Sequence, residues 1–269
     1  MNVDLVITTY NRPDALEMVL MAVSKQTILP FQVIVADDGS TQETASLILQ
    51  YQAHFPCKLI HVWHEDLGFR AAAIRNLALA QVKSPYVVII DGDMVLEKHF
   101  MEDHLRNAKP NQFLQGGRVL LTDDKTKQLL KKPSYFDPAF LENGVENRLE
   151  KRLTAFRSLT LANIFRKDLI NKNKVRSCNM SFFMEDIKAV NGFDNRFVGW
   201  GREDSEFVER LINHGLKGKL IKFEALAYHL YHPEEPKAAL PQNDELLKQT
   251  ISNQLTRCTD GLSKYLFEN

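Results

Sequence analysis

The chain has 269 residues, with 34 Lys plus Arg against 34 Asp plus Glu, and three cysteines. That length accommodates one large α/β domain or two small ones with a sizeable core, and a formal charge of zero gives no general attraction to nucleic acid. Cys57, Cys178 and Cys258 show no paired or metal-ligand spacing, the chain starts without a basic–apolar–small leader pattern, and no apolar run approaches the ~20 residues of a membrane span. The expectation is a cytoplasmic protein, with peripheral contact to the inner face of the membrane left open.

Residues 3–9 (VDLVITT) read as a short apolar strand that stops at Tyr10-Asn11-Arg12-Pro13, and Pro13 suits the first turn of a helix. Residues 15–26 repeat apolar positions at Leu16, Val19, Leu20 and Val23 with helical period. Residues 31–36 form a second strand ending in Asp37-Asp38-Gly39-Ser40. Ser40 or Thr41 then caps a helix running to about residue 53. Residues 58–63 read as a third strand, followed by His64-Glu65-Asp66-Leu67-Gly68-Phe69 and a helix over 70–82 that contains Arg75.

The stretch Val87-Val88-Ile89-Ile90-Asp91-Gly92-Asp93 carries the most chemistry. Four successive β-branched residues describe a strand buried on both faces. Residues i and i+2 of an extended segment point to one side, so Asp91 and Asp93 are expected to converge, with Gly92 opening the backbone to a ligand. Two oxygen ligands at the carboxyl end of a buried strand suit a divalent cation carrying a diphosphate. An ordinary Asp-Gly turn is the plain alternative. Strand–helix alternation over the first ~95 residues predicts a doubly wound, mostly parallel sheet whose carboxyl edge gathers residues 8–12, 37–40, 64–75 and 91–93. No G-x-G-x-x-G and no G-x-x-x-x-G-K-[ST] occurs, which argues against dehydrogenase and P-loop enzymes.

Beyond this, residues 115–121 read as another strand. Nine Lys/Arg against two acids lie between Arg148 and Arg176, interleaved with apolar residues. Either the segment touches anionic lipid or an anionic acceptor, or it is a solvated face packed on the sheet. In Gly199-Trp200-Gly201-Arg202-Glu203-Asp204, a tryptophan between glycines beside carboxylates suits a sugar ring, although an acid opening the helix over 204–214 also reads as an N-cap. Residues 220–223 and 225–232 read as strands. His229 and His232, three apart in an extended segment, should fall on opposite faces and not share an ion. One would then ligate metal with the aspartates, and the other would orient substrate or simply pack. Residues 244–255 form a polar amphipathic helix, read with the tail as a cover or an oligomer contact.

The ordered set T-T-Y-N-R-P, A-D-D-G-S, H-E-D-L-G-F-R-A-A-A-I-R-N, D-G-D, C-N-M-S-F, N-G-F-D, W-G-R-E-D and H-L-Y-H resembles inverting glycosyltransferases of family 2 with the GT-A fold. The resemblance is closest to the branch with a galactosyltransferase-like W-G-x-E-D motif, as in bacterial chondroitin polymerases and β1,4-galactosyltransferases. It covers residues 3–95 and 176–232 of a single GT-A domain. By it, 1–121 is the nucleotide-sugar half, 122–175 a variable basic segment, 176–235 the acceptor and catalytic half, and 236–269 a helical tail. It implies donor contacts from Thr8, Tyr10, Asn11, Arg12, Asp37, Asp38, Arg75, Asp91 and Gly92, with Asp38 accepting the uracil N–H. It implies Mn²⁺ or Mg²⁺ on Asp93, more directly than on Asp91, with His229 or His232 as a further ligand. Trp200, Gly201, Arg202 and Asn179 would meet the acceptor, and Asp204 beside Glu203 would be the catalytic base. The implied reaction moves a hexose or N-acetylhexosamine from a UDP-sugar to a saccharide, in bacterial surface polysaccharide or lipopolysaccharide synthesis. A paired-carboxylate hydrolase and a catalytically silent glycan-binding module are the rivals.

Overall fold

The computed structural model describes residues 1–134, 144–145, 155–165, 167–168, 177–233 and 236–266. In chain order its elements are β1 (Val3–Thr9), α1 (Pro13–Val23), β2 (Gln32–Asp37), α2 (Gln42–Gln52), β3 (Lys58–Trp63), α3 (Ala71–Leu79), β4 (Tyr86–Asp91), β5 (Met94–Leu96), α4 (Phe100–Asn107), β6 (Gln112–Gln115), β7 (Arg118–Leu120) and α5 (Asp123–Lys131). There follow α6 (Leu159–Phe165), β8 (Lys167–Asp168), β9 (Asn179–Phe183), α7 (Met184–Val190), α8 (Glu203–Asn213), β10 (Lys217–Leu220), β11 (Ala227–His229), α9 (Leu240–Ser252) and a 3₁₀ turn at Leu262–Tyr265.

Among the described residues, the main sheet has eight strands in the order β3-β2-β1-β4-β9-β6-β10-β8. The first four are parallel, β9 runs antiparallel between β4 and β6, β10 is parallel to β6, and β8 closes the edge antiparallel. The expected doubly wound, mostly parallel α/β sheet is what forms. Period-two alternation explains its central strand: Val88 and Ile90 pack on one face with α1 and α4, while Val87 and Ile89 pack on the other with α3, α7 and α8. Each such side chain removed from water contributes about 1.5–3 kcal/mol, so a strand apolar on both sides is stable only under helices on both sides.

Several boundaries differ from the sequence reading. The strand read from Val87–Ile90 forms over Tyr86–Asp91, but it does not stay extended to Asp93. The Gly92 N–H then bonds the Thr8 carbonyl at 2.7 Å, and the chain crosses into β5. The strand expected over 115–121 is two strands, because Gly116-Gly117 breaks it and sends β7 into a second, three-stranded sheet ordered β5-β11-β7. The strand expected over 225–232 is only β11, and 220–223 gives way to β10, with Phe223 at φ 61 and Ala225 at φ 49 in between. Helices α4, α5 and α7, at eight, nine and seven residues, are too short to stand out in the sequence and were not expected. The C-terminal helix starts four residues early, with Pro in its first turn. The tail behaves as a cover: Leu262 is fully buried against the α3–α8 side, and Asn195 donates to Asp260 at 2.7 Å. Much of the basic 148–176 segment lies outside the described residues. No helix among the described residues is long and apolar enough to cross a membrane.

Candidate active site

The carboxyl ends of β1–β4 hold their polar residues in a linked set. The Asp38 amide bonds the Thr9 carbonyl at 2.9 Å, joining β2 to β1 where both strands end. The Asp38 carboxylate accepts from the Arg70 amide at 2.9 Å and meets His64 Nε2 at 2.6 Å. Asp37 is fully buried; it accepts from the Ser40 amide at 2.8 Å and meets His61 Nε2 at 2.9 Å, so it holds its own turn. Asn11, at φ 47, donates its amide to Ser40 Oγ and accepts from the Thr41 amide, which locks the loop after β1 to the loop after β2. Tyr10 donates to Asp66 at 3.0 Å. Arg12 reaches Asp14, and its charge is also felt at Asp93.

Arg75, on α3, is the hub between the two halves of the chain. Its guanidinium is 4% exposed and donates to Thr8 Oγ1, Asp91 Oδ1 and Glu203 Oε1, each at 3.2 Å. It also lies over the Phe193 ring, 5.4 Å from the centroid. Burial disfavours its charge, but Asp91, Glu203 and Asp204 outweigh this and raise its pKa. Asp91 is pushed up, by burial first and by Asp93 as well, with Arg75 opposing. Its side chain is still 34% exposed, so water screens part of that push.

Asp93 has different partners from Asp91. Its Oδ2 lies 3.4 Å from His229 Nε2 and 3.3 Å from His232 Nε2, and its Oδ1 is buried with no hydrogen-bond partner. Burial works to raise the Asp93 carboxyl, but the hydrogen bond and charge of His229, and then His232, hold it below its ordinary value. The histidines reach one point because β11 stops at His229. The Leu230 amide bonds the Asp93 carbonyl at 2.9 Å, and strand pairing then ends, with the Tyr231 amide donating to Thr126 Oγ1 at 2.8 Å. The opposite-face expectation fails for that reason: Asp93, His229 and His232 offer ligand atoms within 4.8 Å of one another. Asp91 does not join this cluster, because its carboxylate is turned to Arg75.

Whether a cation fits there can be tested on the hydrogen bonds. His232 Nδ1 lies 2.7 Å from the Pro233 carbonyl, an acceptor, so an Nδ1–H is directed there and Nε2 is the nitrogen left to face Asp93. Asp93 Oδ1 is buried without a hydrogen-bond partner, so the carboxylate beside the two Nε2 atoms has coordinating capacity that no protein group uses. The donor set fits a divalent first-row ion.

The W-G-R-E-D segment closes the other side. The Gly199 amide bonds the Phe69 carbonyl at 2.8 Å, joining this loop to the one before α3. Lys237 Nζ stands 5.7 Å from the centre of the Trp200 ring, the Gly201 carbonyl accepts from Asn243, and Arg202, at φ 78, pairs with Asp244. Glu203 and Asp204 open α8 and are each 8% exposed. Asp204 Oδ1 accepts from the Ser205 amide at 2.7 Å and Oδ2 from the Ser177 amide at 3.3 Å. Burial, and then Asp204, push Glu203 up to about 7.

Asn179 departs from its expected acceptor role. It is 1% exposed, both its amide hydrogens go to the carbonyls of Gly117 and Ala225, and its Oδ1 accepts from His104. His64 and Asp66, expected on this edge within residues 64–75 but without a role of their own, brace Asp38 and Tyr10.

Residues 4–171 match the family described as Glycosyl transferase family 2, and residues 166–233 match the N-terminal domain of galactosyltransferase. The chain belongs to glycosyl transferase family 2. Chondroitin synthase of Pasteurella multocida (strain Pm70) is 26% identical over 269 residues, covering 94% of this chain and 27% of its own length. Chondroitin synthase of Escherichia coli is 28% identical, covering 93% and 37%. The chain thus spans well under half the length of either relative. The structure of S. aureus TarS 1-349 in complex with UDP aligns with a TM-score of 0.63 at 16% identity, over 98% of this chain and 68% of that one. That likeness establishes the GT-A fold of the family 2 chain.

Proposed function

We propose that this family 2 chain transfers a hexose or N-acetylhexosamine from a UDP-sugar to a saccharide hydroxyl by single displacement with inversion, with a divalent ion bound beside the donor. The observation that carries this reading is the bridge through Arg75. It joins Thr8 and Asp91, at the edge of the parallel strands, to Glu203 of the W-G-R-E-D segment. A carboxylate of one half of the chain thereby stands beside the nucleotide-type loops of the other. UDP and UDP-GlcNAc occupy TarS in its solved complexes, and the matched relatives are named as chondroitin synthases. UDP-linked donors and a bacterial surface polysaccharide are therefore the substrate classes proposed here. In this division of labour, residues 1–121 bind the donor and 176–235 the acceptor.

Asp38 takes the uracil N–H, and the loops around Thr8, Tyr10, Asn11 and Arg12 enclose the nucleoside, with Gly92 leaving room for the diphosphate. Asp93, His229 and His232 would hold the ion, which supplies positive charge to the departing diphosphate. One carboxylate oxygen with two imidazole nitrogens favours Mn²⁺ over Mg²⁺, because Mg²⁺ prefers oxygen ligands throughout. Trp200 offers a flat wall to the acceptor ring, flanked by Gly201 and Arg202. Asp204 removes the proton from the acceptor hydroxyl as that oxygen bonds the donor anomeric carbon and the bond to the diphosphate oxygen breaks. Attack from the face opposite the leaving group converts an α-linked donor to a β-linked product.

The test is thermal denaturation against a panel of nucleotide sugars, with and without Mn²⁺. A ligand confined to the folded state stabilises by about 2.7 kcal/mol at a hundredfold excess over Kd. A Mn²⁺-dependent rise with one UDP-sugar is expected, and no rise with any nucleotide sugar would overturn the reading.

A further inference from the structure

The second sheet owes its position to a buried clamp that lies outside the crevice. Before β11 the chain passes through Phe223 at φ 61 and Ala225 at φ 49, conformations that L side chains rarely adopt. Both polar groups of Ala225 are held by side chains from elsewhere. Its amide donates to Asp103 Oδ2 at 2.8 Å, and its carbonyl accepts from Asn179 Nδ2 at 3.0 Å. Asp103 is fully buried and is itself fixed by Arg106 and Arg157, both at 2.7 Å. The second Asn179 amide hydrogen goes to the Gly117 carbonyl at 2.9 Å, one residue before β7. One side chain on β9 of the main sheet therefore holds the entries to β7 and β11, the two parallel strands of the small sheet.

The orientation of this amide is also determined. His104 Nε2 meets Asn179 Oδ1 at 2.9 Å, and His104 Nδ1 meets Ser181 Oγ at 2.8 Å, which in turn lies 2.7 Å from Tyr86 Oη. With Nε2–H donating to Asn179, Nδ1 accepts from the Ser181 hydroxyl, and Ser181 accepts from Tyr86. Every member of the chain is satisfied with a neutral imidazole, and burial lowers the His104 pKa to about 4. The reversed amide would set Oδ1 against two carbonyl oxygens, so only one orientation works.

His229 ends the strand four residues beyond Ala225, and His232 follows just after it, seven residues beyond Ala225. We infer that Asn179 is a positioning residue for the ion site: with Asp103 it holds the left-handed turn at Ala225, and that turn sets where β11 and the residues just after it present His229 and His232 to Asp93. The inference rests on the metal reading proposed above. A residue that only filled core space would lower overall stability. It would not affect metal binding separately from nucleoside binding, and a glycine at position 225 would not compensate for its loss.

The experiment measures Mn²⁺ binding to the full chain by electron paramagnetic resonance, with uridine binding by calorimetry alongside. Asn179→Ala should weaken Mn²⁺ by about tenfold or more, the range seen when partners of ligating residues are removed, and leave uridine affinity within about twofold of wild type. Adding Ala225→Gly, which adopts positive φ freely, should recover a large part of the lost Mn²⁺ affinity. If Asn179→Ala does not fold, Asn179→Ser keeps one donor and gives the same comparison in milder form. Wild-type Mn²⁺ affinity in the folded variant, or no recovery from Ala225→Gly, would overturn the inference. A wild-type protein that binds no Mn²⁺ would instead remove the metal reading, and this inference with it.

Discussion

Arg75 and Glu203, 128 positions apart in sequence, meet at 3.2 Å in the interior, and the same guanidinium holds Asp91. Removing one partner of a buried ion pair leaves the others uncompensated, at a cost of about 3–5 kcal/mol. Arg75→Met should lower stability by about that amount in urea unfolding and abolish donor binding. Arg75→Lys keeps the charge but lacks the planar fork that reaches three partners, so it should fall between wild type and Arg75→Met.

Glu203 gives the protein a pH signature. Its carboxyl is raised from 4.5 to about 7, by burial first and Asp204 second. The folded state therefore keeps a proton that the unfolded chain has released between those values, so this group's contribution falls as pH rises from about 4.5 to 7 and levels off above. At one pKa unit per 1.36 kcal/mol, the full effect is roughly 3 kcal/mol. Glu203→Gln should melt near wild type at pH 4.5 and above it at pH 8. Parallel melting curves across that range would contradict the shift.

Both histidines face the same oxygen of Asp93 at nearly equal distance. His229→Ala and His232→Ala should therefore each weaken Mn²⁺ binding, and Asp93→Asn should weaken it most. Loss from only one histidine variant would restore the one-ligand expectation drawn from the strand pattern.

If Asp204 is the base, Asp204→Asn should lose nearly all transfer while keeping the Mn²⁺-dependent thermal shift with the UDP-sugar. The amide preserves shape but cannot take the acceptor proton. Normal turnover by this variant would exclude the assignment.

Gly39 stands at φ 93, and a Cβ there would lie 2.5 Å from Asp66 Cα, so the loops after β2 and β3 touch through it. Gly39→Ala should cost about 1–3 kcal/mol. Because the loops that brace Asp38 and Tyr10 must separate, UDP should bind more weakly in titration calorimetry.

The sequence by itself determined the parallel half of the fold and the motifs on its edge. Val87–Ile90 had to be buried on both faces, and Asp37-Asp38, Asp91-Gly92-Asp93 and Glu203-Asp204 sit at element ends that local patterning reveals. Local patterning could not say where a strand leaves its sheet. Gly116-Gly117 breaks a stretch that reads as one strand, the left-handed Ala225 stands where a strand reads as beginning, and the partners that stabilise those departures, Asn179 and Asp103, are far away in sequence. For the same reason, the side-by-side placement of His229 and His232, the turn of Asp91 toward Arg75, and the structural use of Asn179 were settled by tertiary structure alone. Each depends on a hydrogen bond across tens of residues, and an extended-strand period carries no information about such contacts.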